Sequence, residues 1–275
     1  VNEYRTPYLG PTSVQTAPPP RADLHEMDDT LAIATKTASF AFDKKTGRLL
    51  NVQTAAGNNV FFPLTNGPRL VALPHPAPER RPAIGAAAPP APAPEPLPDA
   101  TLASFSHKSD GANEILSATY SNGPLKTVTW TLAPSGELRL DAAYTLTGPY
   151  DYFGLGFDLK DNSPGKTDSI QSFRWLGNGP YRAYANRLSG GSLNVWQTDY
   201  NDTITGFRDW IYPEFKGYYA NVKWAQIHTS AGPITITLNQ DDLYLQLLTP
   251  SMPPPPPANI AGHAYVNYPT AGFSI

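Results

Sequence analysis

The sequence predicts an all-β protein, an antiparallel sandwich or barrel, and three observations carry that prediction. Helical periodicity is nearly absent along the 275 residues. Apolar and polar residues alternate instead in short β-branched and aromatic runs. Polar or glycine-containing turns separate those runs at fairly even spacing, as in hairpin-connected strands.

Taken in order, residues 1–28 read as a leader or linker segment and residues 29–275 as a single β-sandwich domain. The stretch ASFAFDKKTGRLLNV reads as a hairpin. In it Phe40 and Phe42 alternate with small residues, DKKTG turns, and Leu49, Leu50 and Val52 return. A Pro/Ala-rich insertion at about 74–98, PHPAPERRPAIGAAAPPAPAPEPLP, follows. With APPP before Arg21 and PPPPP at Pro253 to Pro257, it favours extended polyproline II and offers few ladder donors. These runs read as a surface excursion or linker, with a ligand for a proline-binding domain as the alternative. NEILSATYS and KTVTWTLAPSGELRLDAAYTL continue as strands, the second split at Ser135-Gly136. YDYFGLGFDLK alternates with glycines, the mark of a bulge or close strand packing. WLGNGPYRAYANRLSGG is too polar and turn-rich for a core strand and too aromatic for an idle loop. It reads as a strand end and loop at the rim of the sandwich, turned by its glycines and Pro180. YYANVKWAQIHT, GPITITLNQ and LYLQLLTP complete the strand series.

Composition narrows the chemistry. Net charge is −3, so nothing favours nucleic acid or an anionic membrane surface, which need a basic field. No uncharged run is long enough to span a bilayer. Cysteine is absent, which excludes disulfides, Cys-ligated zinc and thiol nucleophiles. Such a chain suits a secreted or periplasmic bacterial protein. The opening VNEYRTPYLG has no basic region followed by an apolar stretch, so no signal peptide is read there. None of the five histidines sits in an HExxH or GxSxG context, so neither a metal site nor a serine triad is expected, and no cofactor is.

The carboxylates and aromatics between Trp175 and Trp224 carry more. TDYNDTITGFRDWIYPEFKG sets Asp199, Asp202, Asp209 and Glu214 among Tyr200, Trp210, Tyr212 and Phe215. Glycosidases use two carboxylates about 5 to 10 Å apart. In β loops such acids also cap turns or pair with cations such as Arg187, Arg208 and Lys216. Tyr181, Tyr184 and Trp210 flank Gly, Pro, Arg and Asp and are expected to be partly exposed, whereas Trp224 is expected in the core. Tyr and Trp pair an apolar body with a wet end, which suits the C–H faces and hydroxyls of a sugar.

WLGNGPYRAYANR, then YNDT, then YPEFKGYYANVKWAQI resemble the C-terminal domain of glycoside hydrolase family 2 enzymes, the β-galactosidase small-chain domain. The residues that carry the likeness are Trp175, Gly177, Gly179, Pro180 and Arg187, then Pro213, Glu214 and Gly217, then Val222 and Trp224. FAFDKKTGRLLNV and LTNGPRL resemble the domain's first hairpin and its Asn-Gly-Pro turn, and the likeness covers roughly residues 30 to 250. It implies a galactose-mutarotase-like antiparallel β-supersandwich. It also implies that the catalytic glutamates sit in a separate (β/α)₈ barrel while this domain borders the sugar site. Relatives continue past a point like AGFSI and offer an aromatic from that late region. The Asn-His-x-Tyr pattern of the mutarotases is absent.

The expected function is therefore a non-catalytic, carbohydrate-associated domain of a polysaccharide-degrading enzyme. Its expected partners are an oligo- or polysaccharide and a catalytic barrel domain. Asn178, Tyr181, Arg182, Tyr184, Arg187, Trp210, Glu214 and Lys216 are expected to bind sugar. The alternatives are a free-standing glycoside hydrolase or lyase acting through Glu214 and Asp202, and a purely structural domain.

Overall fold

A computed structural model describes residues 22–54, 61–74, 100–159, 170–180, 191–199, 217–248 and 271–275. Among the described residues the regular elements are all strands: β1 (Asp23–Glu26), β2 (Thr30–Ala34), β3 (Ala38–Asp43), β4 (Leu49–Thr54), β5 (Phe61–Phe62) and β6 (Leu64–Pro74). They continue as β7 (Leu102–Asp110), β8 (Asn113–Tyr120), β9 (Leu125–Leu132), β10 (Leu138–Tyr144), β11 (Tyr150–Leu159) and β12 (Ile170–Gly179). The last six are β13 (Ser192–Asp199), β14 (Gly217–Tyr219), β15 (Trp224–Thr229), β16 (Gly232–Thr237), β17 (Leu245–Leu248) and β18 (Ala271–Ser274).

These strands pair antiparallel into three sheets. A ten-stranded sheet runs in the order β1-β2-β3-β4-β6-β11-β18-β17-β14, with β5 on β4. Two four-stranded sheets, β10-β9-β8-β7 and β13-β12-β15-β16, pack on one face of it, giving the expected β-sandwich. Strand alternation supplies that face. Phe40, Phe42, Leu49 and Val52 of the first hairpin turn inward, whereas Leu50 is 38% exposed. Trp130 of β9 lies against Phe42 and Phe157 at 5.5 and 6.2 Å between ring centroids. Phe157 in turn stacks on Phe273 at 5.2 Å. Under the second small sheet, Phe173, Trp175 and Tyr219 form a triangle with centroids 4.5 to 5.0 Å apart. Truncating one buried aromatic of this kind costs about 3–5 kcal/mol, so these rings define which sheets lie together.

The DKKTG turn shows how a local motif is locked by tertiary contact. Asp43 accepts from the Lys45 amide (2.7 Å) and the Thr46 hydroxyl (2.8 Å), closing an Asx turn. Gly47 takes φ +72°, and a Cβ there would meet Ala118 at 2.7 Å. The Tyr120 hydroxyl then donates to Thr46 O at 3.0 Å, tying the hairpin to the small sheet.

Four details depart from expectation. β1 pairs with β2 and lies within the span assigned to a leader, so the sheet begins before residue 28. LTNGPRL is part of β6 rather than a turn, with Asn66 at φ +52° as the irregularity. Trp175 is 0% exposed, so the start of WLGNGPYRAYANRLSGG is a core strand. Its polarity misled because its glycines serve close packing: on Gly177 a Cβ would meet Ala220 O at 2.9 Å. Trp224 is half-buried, because β15 turns Ala225 and Ile227 inward and leaves Trp224 under the Arg174 guanidinium at 5.8 Å. The Pro/Ala stretch at residues 75–99 lies outside the described residues and connects β6 to β7.

Candidate functional site

Of the residues expected to bind sugar, Asn178 is described. Tyr181, Arg182, Tyr184, Arg187, Trp210, Glu214 and Lys216 lie outside the described residues, as does Asp202. Asn178 is held by its backbone. Its amide donates to Ala220 O at 2.9 Å, and its carbonyl accepts from Trp175 Nε1 at 3.2 Å. Gly179 packs closely against the Trp196 indole, where a Cβ would meet the ring at 2.4 Å, and the indole Nε1 donates to Ser192 O at 3.2 Å. A side chain on Gly177 or Gly179 would force these layers apart, so the glycines explain the close approach around Asn178. Next to this frame, the Lys223 amide donates to Leu176 O at 2.8 Å, and its ammonium pairs with Asp241 at 2.5 Å. That hydrogen bond holds the Asp241 carboxyl below the usual carboxylate range. The chain leaves this frame at Pro180 and rejoins it at Gly191, while Glu214 and Lys216 immediately precede β14. The half-buried Asn178 belongs to this frame.

A second polar group was not anticipated from sequence. Asp158 of β11 accepts from Arg69 Nη2 at 2.5 Å and from Asn66 Nδ2 at 2.7 Å. Arg48 Nη1 donates to Asn66 Oδ1 at 3.4 Å. Asn tolerates the positive φ of residue 66 better than most side chains do, which aims its amide at Asp158. Beside the network, Arg48, Arg69 and Tyr120 line a pocket with room for about one water molecule. LTNGPRL held the signal, but its Asn and Arg point to a contact only once β11 is known to lie alongside.

Two shielded carboxylates of the described residues are already committed. Both oxygens of Asp158 are taken, as above. Glu114 accepts from the Ser109 hydroxyl at 2.9 and 3.0 Å and shares a 2.8 Å hydrogen bond with His107 Nε2. Ser109 and His107 thus both serve the carboxylate, unlike a nucleophilic triad, in which Ser bonds to His. No cluster of His, Cys, Asp or Glu among the described residues could hold a metal ion.

Comparison with known proteins gives this architecture its relatives. A beta-galactosidase of Lactobacillus delbrueckii subsp. bulgaricus is 26% identical to this chain over 125 residues, which make up 44% of this chain and 11% of that protein. The chain therefore matches a small fraction of that relative's length. Residues 34–261 match the family model described as beta galactosidase small chain, a span from the end of β2 to beyond β17. Most of the described sheet framework falls within that span, and the chain belongs to the beta galactosidase small chain family.

Proposed function

We propose that this chain is the non-catalytic sandwich domain of a β-galactosidase-type glycoside hydrolase, binding or bordering the sugar while bond cleavage takes place on another domain or chain. The family match over residues 34–261 carries the proposal. The commitment of Glu114 and Asp158 to structural hydrogen bonds supports it, since neither is free to act as nucleophile or general acid. The substrate class is a galactoside, and the partner is the barrel that carries the catalytic carboxylates. Asn178 and the residues from Tyr181 to Lys216 named above form the bordering surface in this proposal.

The test is enzymatic and calorimetric on the same preparation. The purified chain should not hydrolyse an aryl β-galactoside but should bind a galactoside in titration calorimetry. Turnover by the chain alone would overturn the non-catalytic part, most sharply if Glu214→Gln abolished it without moving the melting temperature. Absence of both turnover and binding would leave a purely structural domain and remove the sugar from the proposal.

A further inference from the structure

The core-facing stripe of β11 runs through Phe157, Leu155 and Phe153 by alternation. Phe157 is 7% exposed and Leu155 packs on the core, but Phe153 is 44% exposed. On the opposite layer the register of β10 shifts between Ala143 and Tyr144, which sets Tyr144 opposite the buried Leu125 of β9. Tyr144 is 43% exposed. The two rings meet edge to face across the layers, with centroids 5.4 Å apart. The ring pairs of the core described above are buried, whereas this pair stands at an open mouth between the ten-stranded sheet and the sheet of β7 to β10. Scattered exposed apolar side chains need no explanation, but two half-exposed aromatics in contact, continuous with the core, form a patch that does.

Both ends of one stretch of chain lie at this mouth. β6 runs alongside β11 with Ala72 opposite Phe153 and Pro74 opposite Tyr150, and Pro74 is its last residue. The described residues resume at Ala100, which lines one small pocket together with Leu70 of β6 and Leu125 of β9. Leu125 is the cross-strand partner of Tyr144, and Leu70 that of Leu155. Residues 75–99 therefore leave and return beside the two rings. Tethering at both ends makes any contact of that stretch with the mouth intramolecular, so a weak intrinsic affinity suffices.

We infer that the mouth formed by Tyr144 and Phe153 is a docking surface for this chain's own proline-rich stretch between Pro74 and Ala100. Its sequence, HPAPERRPAIGAAAPPAPAPEPLPD, supplies the chemistry that fits. Proline-rich sequence favours polyproline II before it binds, so ordering it costs little, and its rings pack on Tyr and Phe side chains. The part from Pro89 to Pro96, PPAPAPEP, suits the rings best, because the earlier ERR run carries charges that gain nothing from an apolar mouth. The inference stands apart from the sugar-bordering surface proposed above and uses none of its residues.

The chain contains no cysteine, so one introduced thiol reports on one position. The test places it in the stretch as Ala91→Cys, in the full chain, and follows its modification by a maleimide. The same thiol is then followed with Tyr144→Ser or Phe153→Ser added. The thiol should react at least about threefold more slowly with both rings present than with either removed. Tyr144→Leu and Phe153→Leu keep apolar bulk without the ring and replace any serine variant that no longer melts cooperatively. Ser135→Cys, in the exposed turn between β9 and β10, is the control and should react at one rate in every background. Melting temperature is a poor readout here, because a shorter loop loses less entropy on folding and offsets the lost contact. Equal rates for Ala91→Cys with and without the rings would overturn the inference. So would a parallel change at Ser135→Cys, which reports general loosening, or protection that disappears on dilution, which assigns the mouth to a second copy. Neither turnover nor sugar binding enters this readout, so its failure and the failure of the proposed function are separate results.

Discussion

Asp158→Ala is the substitution whose cost the structure lets us work out most directly. The carboxylate takes two charge-assisted bonds, from Arg69 at 2.5 Å and from Asn66 at 2.7 Å, and its side chain is 15% exposed. Bonds to charged groups contribute about 1.5–3 kcal/mol each, which gives an upper sum of about 3–6 kcal/mol. The Arg69 side chain is 34% exposed, so water recovers part of its solvation once the partner is gone. We therefore expect a loss of about 2–4 kcal/mol. For a chain of this size about 2–4 °C of melting temperature goes with each kcal/mol, so the midpoint should fall by roughly 4–16 °C. Asp158→Asn keeps the shape and removes the charge, and should cost about half as much. A double-mutant cycle with Arg69→Met isolates the pair and should return a coupling of about 1–2 kcal/mol. Denaturant unfolding with an unchanged slope is the assay. A loss below about 0.5 kcal/mol for Asp158→Ala, the level of a solvent-exposed ion pair, would refute the claim that this network holds β6 against β11.

Three further outcomes follow from other contacts. Tyr120 is 8% exposed and burial raises its phenol pKa above the ordinary 10.0, so the fold favours the neutral ring; the stability it supports is intact below that value and is lost as pH rises through the folded-state pKa. Tyr120→Phe should cost about 1 kcal/mol at neutral pH, by removing the bond to Thr46 O, and should flatten that alkaline decline when unfolding is followed from about pH 8 to 11. Gly154→Ala should destabilise by about 1–3 kcal/mol in chemical denaturation, because the new methyl meets the Ile275 backbone carbonyl, which is bonded to the Leu155 amide and cannot swing aside. Replacing Pro76 to Pro96 by a short Gly/Ser loop should move the melting temperature by less than about 2 °C, because that composition buries little apolar surface and offers few ladder donors; a loss of cooperative melting would show that the stretch is structural.

What the sequence made legible is local. Hairpins were readable because a turn and its two flanking strands are contiguous: Phe40 and Phe42 before DKKTG and Leu49 and Val52 after it fix both the elements and the inward face. The position of β18 was not readable. It is the last strand in the chain, yet it sits between β11 and β17, where Phe273 stacks on Phe157. Four residues with one aromatic carry no local sign of such a partner. The same limit explains the two tryptophans. Trp175 lies in a run thick with glycine, and Trp224 in a run whose alternation offers Trp or Ala-Ile to the core with equal local merit. The packing triangle with Tyr219 selects Trp175, and the Arg174 contact leaves Trp224 outside.

For the candidate site and for cross-strand neighbours the contrast is sharper, because sequence runs along the strands and pairing runs across them. The residues singled out between Tyr181 and Lys216 stood out by type and crowding, because they lie close together in the sequence. A row laid across a sheet takes one residue from each strand. Arg69, Gly156, Ser274, Gln246 and Tyr218 are single members of five runs, and pairing alone makes them neighbours. A slip of one residue in any of these strands would send its member to the core face. The sign that was present in sequence lay in what is missing: Gly154 and Gly156 alternate in YDYFGLGFDLK at positions where the opposite parity holds Phe153, Leu155 and Phe157. A strand that is apolar on one face and bare on the other must have something close above its bare face. At Gly154 that is the Ser274 hydroxyl. The glycines therefore mark close packing of β11 against its neighbours, with the Ser274 hydroxyl and the Val71 side chain in the space their own side chains would need. Gly154→Ala should therefore cost stability, and adding Ser274→Ala should recover part of that loss in denaturant unfolding, because it removes the hydroxyl that the new methyl meets while leaving the Ile275 carbonyl in place.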